Sequence, residues 1–229
     1  MAKKPQDIIK EKIVGAAYEE GIDLFRKWRQ TAKNGILPIG ISGVGKTTFL
    51  ARFDVSGSEL FLDFDRTLSV KVDKMRLRDD FIKQSNGAKY FQKLDVPGEL
   101  PELWGQTYFN RNPRVLVIMI DERDSAIHID SIKQFLILIK EGPSAWQKIK
   151  TVIGFRRENL SRVIFAVNKV DKFDSNKIGN IKKDYKSLLA EVQSSLNVNV
   201  QMFQISLNSA NEDDFNSMFT AVLDGLSRK

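Results

Sequence analysis

Short uninterrupted apolar runs alternate along this chain with longer stretches in which apolar residues return every third or fourth position. Ile36 to Ile39, Val115 to Ile120 and Val163 to Val167 are runs of the kind that form strands buried on both faces. Leu68 to Val72 alternates apolar and polar residues, Tyr90 to Leu94 is a further candidate strand, and Met202 to Ile205 makes a last one. Helical spacing covers Lys46 to Phe53, Ser131 to Lys140, Ser144 to Arg157, Ile178 to Leu196 and Asp214 to Leu226. This alternation predicts an α/β fold: a mainly parallel central sheet covered by helices on both faces. Upstream, Ile9, Ile13, Ala16 or Ala17, Leu24, Phe25 and Trp28 recur at helical spacing among Lys and Glu. They predict an amphipathic helical extension over residues 1–34, packed on the domain or docked on a partner or membrane surface. Pro38 falls inside the first strand, where a proline cannot donate to a ladder, so a short or bulged strand is expected there.

Between that strand and the helix starting at Lys46 stands Gly40-Ile41-Ser42-Gly43-Val44-Gly45-Lys46-Thr47, which satisfies G-x-x-x-x-G-K-[ST]. Glycines in this arrangement let successive backbone N–H groups turn inward around a polyphosphate, and the helix N-terminus adds its dipole. Ser42, Gly43, Val44, Gly45 and Thr48 are the backbone candidates for that cradle. Lys46 supplies a point charge to the β and γ phosphates, and the Thr47 hydroxyl suits Mg²⁺.

A phosphate loop does not choose between adenine and guanine. Asn168-Lys169-Val170-Asp171 follows the strand Val163 to Val167 and so stands at the carboxyl end of a parallel strand, where open α/β sheets bind ligands. The Asp171 carboxylate can accept the paired N–H donors on one edge of guanine, a pair adenine lacks. Asn168 can hold the loop or the base, and the Lys169 stem can lie along the ring.

The balance of 42% hydrophobic and 28% charged residues over 229 residues is that of one well-buried globular domain with extensions. The net charge of +7 is spread along the chain rather than gathered in a basic block, which argues against nucleic acid as the partner. There are no cysteines, so disulfides, thiolate metal sites and a Cys nucleophile are excluded, and a reducing cytoplasm fits. The longest aliphatic run, Val115 to Ile120, is far shorter than the roughly 20 residues that span a bilayer. Ala2 and the C-terminal Ser-Arg-Lys provide neither a myristoylation glycine nor a prenylation cysteine, so any membrane contact is expected to be unanchored.

Taken together, these residues resemble the Ras-like small GTPases, and within them the Arf type most. Leu94-Asp95-Val96-Pro97-Gly98-Glu99 resembles the family's D-x-x-G segment, and Leu103-Trp104 with Tyr108-Phe109 its L-W-x-x-Y-F stretch. Val117 to Arg123 resembles the strand that ends in aspartate and polar residues, and Ile205-Ser206-Leu207 stands at the short Ser-Ala motif that contacts the guanine oxygen. The likeness covers roughly Ile36 to Leu226. It implies a three-layer P-loop NTPase domain over residues 35–229, a molecular switch that takes GTP or GDP with Mg²⁺ and meets a protein effector or activator. Carried over by residue, it implies that Asp95, Thr47 and Thr67 serve the metal. It further implies that Thr67 and Gly98 meet the γ-phosphate, and that Ser206 and Leu207 join the base site.

Two departures qualify the resemblance. The residue after D-x-x-G is Glu99, where the family usually has a glutamine that orients the attacking water; its negative charge predicts slow or partner-dependent hydrolysis. The catalytic candidates are therefore Glu99 and Lys46. The stretch 131–157 is longer than the family's helix and reads either as a helical insert or as a helix broken at Gly142-Pro143. Two other functions remain open on the sequence: a non-hydrolysing GTP-binding scaffold, which Glu99 motivates, and a P-loop ATPase using Asp121 and Glu122 after the apolar run. His128 has no catalytic serine motif or second histidine beside it and reads as a surface or packing residue.

Overall fold

The computed structural model describes residues 35–54, 69–84, 89–142, 160–173, 175–207 and 213–227. The expected N-terminal helix, Thr67 and the helical pattern Ser144 to Arg157 lie outside these residues. The elements are β1 (Gly35–Ile39), α1 (Lys46–Ala51), β2 (Lys71–Arg76), α2 (Asp79–Gln84), β3 (Tyr90–Asp95), α3 (Pro101–Arg111) and β4 (Val115–Ile120). After them come α4 (Ser125–Glu141), β5 (Arg162–Val167), a 3₁₀ turn (Val170–Lys172), α5 (Ser175–Asp184), α6 (Lys186–Leu196), β6 (Val200–Gln204) and α7 (Asp213–Ser227).

The six strands form one sheet in the order β2-β3-β1-β4-β5-β6. All pairs are parallel except β2 with β3. In β4 the alternation of side chains is visible in the core: Val115, Val117 and Met119 face one layer with Phe49, Leu50, Phe215 and Val222. Leu116, Ile118 and Ile120 face the other layer with Trp104, Phe135, Tyr185 and Leu188. A central strand buried on both faces must be apolar at every position, which is why Val115 to Ile120 and Val163 to Val167 were legible as strands. Among the described residues, no helix is long and apolar enough to cross a membrane.

Pro38 is accommodated without a bulge. β1 pairs with β3 at Gly35 and Ile36 only, whereas its register with β4 runs unbroken from Ile36 to Ile39, so the proline lies where one neighbouring strand has already left the ladder. The strand expected from Leu68 to Val72 instead starts at Lys71 and extends to Arg76, because antiparallel pairing with Tyr90 to Asp95 sets its length. The expected helix Ile178 to Leu196 is interrupted at Tyr185, whose buried ring packs on Phe165 with centroids 5.4 Å apart. α4 begins earlier than expected, at Ser125, because the Asp124 side chain accepts the Ala126 N–H at 2.9 Å and caps it; it ends at Gly142. α3, which the pattern did not identify as a helix, opens with Pro101 at its first turn and closes on left-handed Asn112.

Beneath α1, an aromatic cluster ties the helix that follows the glycine-rich loop to α7. Phe53 meets Phe219 edge-on at 4.7 Å and Phe49 at 5.2 Å between centroids, and Phe81 and Phe91 complete its surroundings. Phe53→Ala removes a fully buried ring and leaves a cavity, so a loss of about 3–5 kcal/mol in unfolding free energy is expected, measured by urea denaturation.

Candidate functional site

The loops at the carboxyl ends of β1, β3, β4, β5 and β6 converge on one end of the sheet. β1 is flanked by β3 on one side and β4 on the other, so the chain reverses its direction of progress there and opens a crevice above β1. The glycine-rich loop occupies that crevice.

Within the loop, Gly45 has φ +96°, and a Cβ there would lie 2.5 Å from the Asn168 side-chain nitrogen, so both conformation and packing exclude a larger residue. The Lys46 ammonium is buried and donates to the carbonyls of Gly40 at 2.8 Å and Ile41 at 3.1 Å. Burial lowers its pKa to about 8; Asp95 opposes that shift and Arg123 adds to it. A desolvated ammonium in this position would be stabilised by an anion placed in the loop. Thr47 donates through its hydroxyl to Asp95 Oδ2 at 2.9 Å, which joins the start of α1 to the end of β3. Thr48 follows on α1 as a half-buried residue.

Asp95 is buried, and beyond it the backbone of Gly98 lies against the loop: a Cβ on Gly98 would collide with the backbone of Ile41 and Ser42. The segment is held from behind by Trp104, fully buried on α3, whose indole N–H donates to the Pro97 carbonyl at 2.7 Å. Trp104 is thus a core residue with one polar duty, while Tyr108 and Phe109 are partly exposed. Glu99 follows Gly98 in a turn and is exposed.

Asn168 links the second group of candidates to the first. Its amide donates to the Val44 carbonyl at 2.8 Å, and its carbonyl accepts the Leu207 backbone N–H at 3.0 Å. Ser206 donates through its hydroxyl to Asp171 Oδ1. Asp171 itself is exposed in the middle of the 3₁₀ turn. Lys169 adopts φ +59°, a left-handed conformation uncommon for a residue with a side chain. Arg52, on the turn after α1, donates to the Leu207 carbonyl at 2.6 Å and so braces the same loop.

The structure therefore brings together Ser42, Gly43, Val44, Gly45, Lys46, Thr47, Thr48, Asp95, Gly98, Asn168, Lys169, Asp171, Ser206 and Leu207, all at one end of the sheet. Asp121 is a hub that the sequence did not reveal. Its buried carboxylate accepts from Arg123 Nε at 2.8 Å and Nη2 at 2.7 Å, and from Lys169 Nζ at 2.9 Å. The ring of His128 lies 3.1 Å away through Nε2. Burial alone would raise the carboxyl's pKa, but hydrogen bonds from His128, Arg123 and Lys169 outweigh it and hold the group well below the usual carboxylate range. Of the two expectations for His128, packing holds and surface exposure does not: it is buried, and hydrogen-bonded as well, because α4 starts early enough to carry it under the end of β4. An aspartate at the end of an apolar strand, followed by Arg123, was the signal available in the sequence.

As a donor set these side chains could hold a polyphosphate with a hard cation: oxygens at Thr47 and Asp95, an ammonium under the glycine-rich loop, and the exposed Asp171 carboxylate beyond Asn168. No protein-family model matches the sequence, and no curated protein matches it. Among solved structures, the chain is similar to the translation elongation factor SelB of Methanococcus maripaludis, determined in complex with the GTP analogue GppNHp. The TM-score is 0.54 at 16% sequence identity, over 86% of this chain and 34% of the elongation factor, so the chain spans about a third of that protein's length. The architecture, a mostly parallel six-stranded sheet with helices packed on it, resembles a GTPase G domain.

Proposed function

We propose that this chain is a guanine-nucleotide-binding protein of the P-loop GTPase type, which binds GTP and GDP with Mg²⁺ and hydrolyses GTP slowly or with a partner's help. The observation that carries this reading is the double clamp of Asn168, which ties Val44 of the phosphate loop to Leu207 of the last loop and so joins phosphate and base ends into one site. In this reading Lys46 meets the β and γ phosphates, and Asp171, oriented by Ser206, accepts the guanine N–H pair. Thr47 and Asp95 would hold Mg²⁺, which neutralises charge on the phosphates. Gly98 lies close enough to the loop to sense the γ-phosphate, and the bond from Trp104 to Pro97 would pass its displacement to α3, giving a switch. Glu99 and Lys46 remain the candidates for assisting hydrolysis. Thr67 is proposed to close over Mg²⁺ and the γ-phosphate on the resemblance alone. The Arf-type likeness and the effector contact rest on the resemblance as well, whereas a cytoplasmic location is proposed from the cysteine-free sequence.

The ATPase alternative needs Asp121 at the metal, yet that carboxylate is already engaged by Arg123, Lys169 and His128. The test is to identify the nucleotide that co-purifies and to titrate the stripped protein with GDP and ADP. Bound guanine nucleotide and a GDP preference are expected; an adenine preference would overturn the proposal. Recovery of intact GTP after incubation with Mg²⁺ and candidate activating proteins would favour the non-hydrolysing scaffold.

A further inference from the structure

Arg123 is absorbed neither by the phosphate loop nor by the base site, although it stands beside both. Its Nε and Nη2 take the two oxygens of Asp121 side-on, which fixes the plane of the guanidinium. Asp121 is itself immobilised, with no exposed surface and with Lys169 and His128 as further partners. The Arg123 side chain, by contrast, is 38% exposed. Its terminal nitrogens reach toward the phosphate loop: Nη2 and Nη1 lie 3.8 Å and 4.0 Å from where a Cβ on Gly43 would stand. Gly43 is the exposed residue of that loop, and nothing but hydrogen occupies its side-chain position, so the guanidinium sits at the loop's rim with little between it and the cradle. Among the described residues, Asp121 is the acceptor for this guanidinium, which leaves the remaining N–H groups of Nη1 and Nη2 available. Its charge is also near enough to contribute to the lowered pKa of Lys46.

A guanidinium whose plane is set by one carboxylate, and whose outer edge is directed at a phosphate-binding loop, has the geometry for a second bidentate or single contact to an oxyanion. We propose that Arg123 is a nucleotide-contacting residue: oriented by Asp121, it donates to a phosphate oxygen of the bound nucleotide from the Gly43 side of the loop. The inference rests on the nucleotide-binding reading above and deepens it. Asp121 and His128 then act as positioning residues for Arg123 and Lys169 together. This explains why a buried carboxylate with several cationic partners stands at the end of β4 instead of an apolar residue.

The experiment is calorimetric titration of the nucleotide-stripped full chain, with Mg²⁺, against guanosine, GMP, GDP and GTP, using wild type, Arg123→Gln and Arg123→Lys. Arg123→Gln is expected to weaken GDP and GTP by on the order of tenfold or more while leaving guanosine unchanged. Arg123→Lys, which keeps the charge and loses the fork, is expected to fall between the two. The ligand at which the loss first appears tells whether the α or the β phosphate is contacted. Equal weakening at every ligand, guanosine included, would show that Arg123 only holds the Asp121 cluster in shape and would overturn the inference. Unchanged affinities throughout would overturn it as well. A parallel series with adenosine, AMP and ADP separates the two levels: tighter adenine binding with the phosphate-dependent loss retained would sink the guanine assignment and leave the role of Arg123 standing.

Discussion

Asp171→Asn is expected to abolish most of the preference for guanine. Asp171 is exposed in the middle of its turn and its carboxylate is oriented by the Ser206 hydroxyl, so it is presented as an acceptor. An amide in its place sets an N–H group against one of the guanine N–H donors, and the charge that strengthened both bonds is gone. Hydrogen bonds to charged groups contribute roughly 1.5–3 kcal/mol each, so GDP affinity should fall by about 100-fold or more, with ADP affinity little altered. Inosine diphosphate, which lacks the amino group, makes a sharper comparison. Wild type should bind GDP more tightly than IDP, and the substitution should close most of that gap. Competition against a fluorescent guanine nucleotide measures all of these ratios, and an unaltered GDP to ADP ratio would place base reading elsewhere.

Lys46→Ala should have an effect of similar size on the phosphate side. The ammonium is already stripped of water and bonded to the Gly40 and Ile41 carbonyls, so its removal deletes a preorganised charge and leaves those carbonyls without that donor. Loss of about 100-fold or more in GTP affinity is expected, with guanosine affected far less. The lowered pKa adds a pH signature. With the free protein's Lys46 titrating at about 8, phosphate binding above that pH must take up a proton, so wild-type GTP affinity should fall by up to about tenfold per pH unit there. The alanine variant should lack this dependence.

The sign for stability runs opposite. Between about 8 and the ordinary value of 10.5 the unfolded chain holds the proton and the native state does not, so this group makes the ligand-free fold more stable as pH rises through that window. Below pH 8 both states are protonated, and the native state carries the full desolvation penalty. Urea denaturation of wild type and Lys46→Ala from pH 7 to 10 would expose the difference; parallel curves for the two proteins would show that Lys46 is not the titrating group.

Much of this molecule was legible in its residues because its chemistry is local. Gly40 to Thr47 and Asn168 to Asp171 are motifs written in consecutive positions, which the fold then brings together through Asn168 and Val44. Val115 to Ile120 and Val163 to Val167 are buried on both sides, which few sequences other than continuous apolar runs can satisfy. Edge elements were less legible. β2, with exposed Lys71, Asp73 and Lys74, takes its extent from pairing with β3, and the break at Tyr185 follows a ring seeking the far side of the sheet. Local pattern cannot report a partner strand or a packing neighbour that is distant in sequence.

The Asp121 cluster is the clearest case of the second kind. As a string, Ile120-Asp121-Glu122-Arg123 allowed a metal-binding aspartate with a catalytic glutamate as readily as any other role. The fold brings Lys169 from the loop after β5 and His128 from the first turn of α4 to the same carboxylate, and their hydrogen bonds engage it. What the sequence determined by itself was the glycine-rich loop between strand and helix, the Asn168 to Asp171 motif at the end of a strand, and the buried strands, since each depends on neighbouring residues or on a burial pattern written along one segment. What the tertiary structure decided was how Asn168 joins those parts, how Trp104 holds Pro97, and where Arg123 is directed. The contacts of Asn168 with Val44 and Leu207, and the approach of Arg123 to Gly43, join residues far apart in the chain that only register and packing bring together; the Trp104 to Pro97 bond spans seven positions but depends on α3 being folded against the sheet.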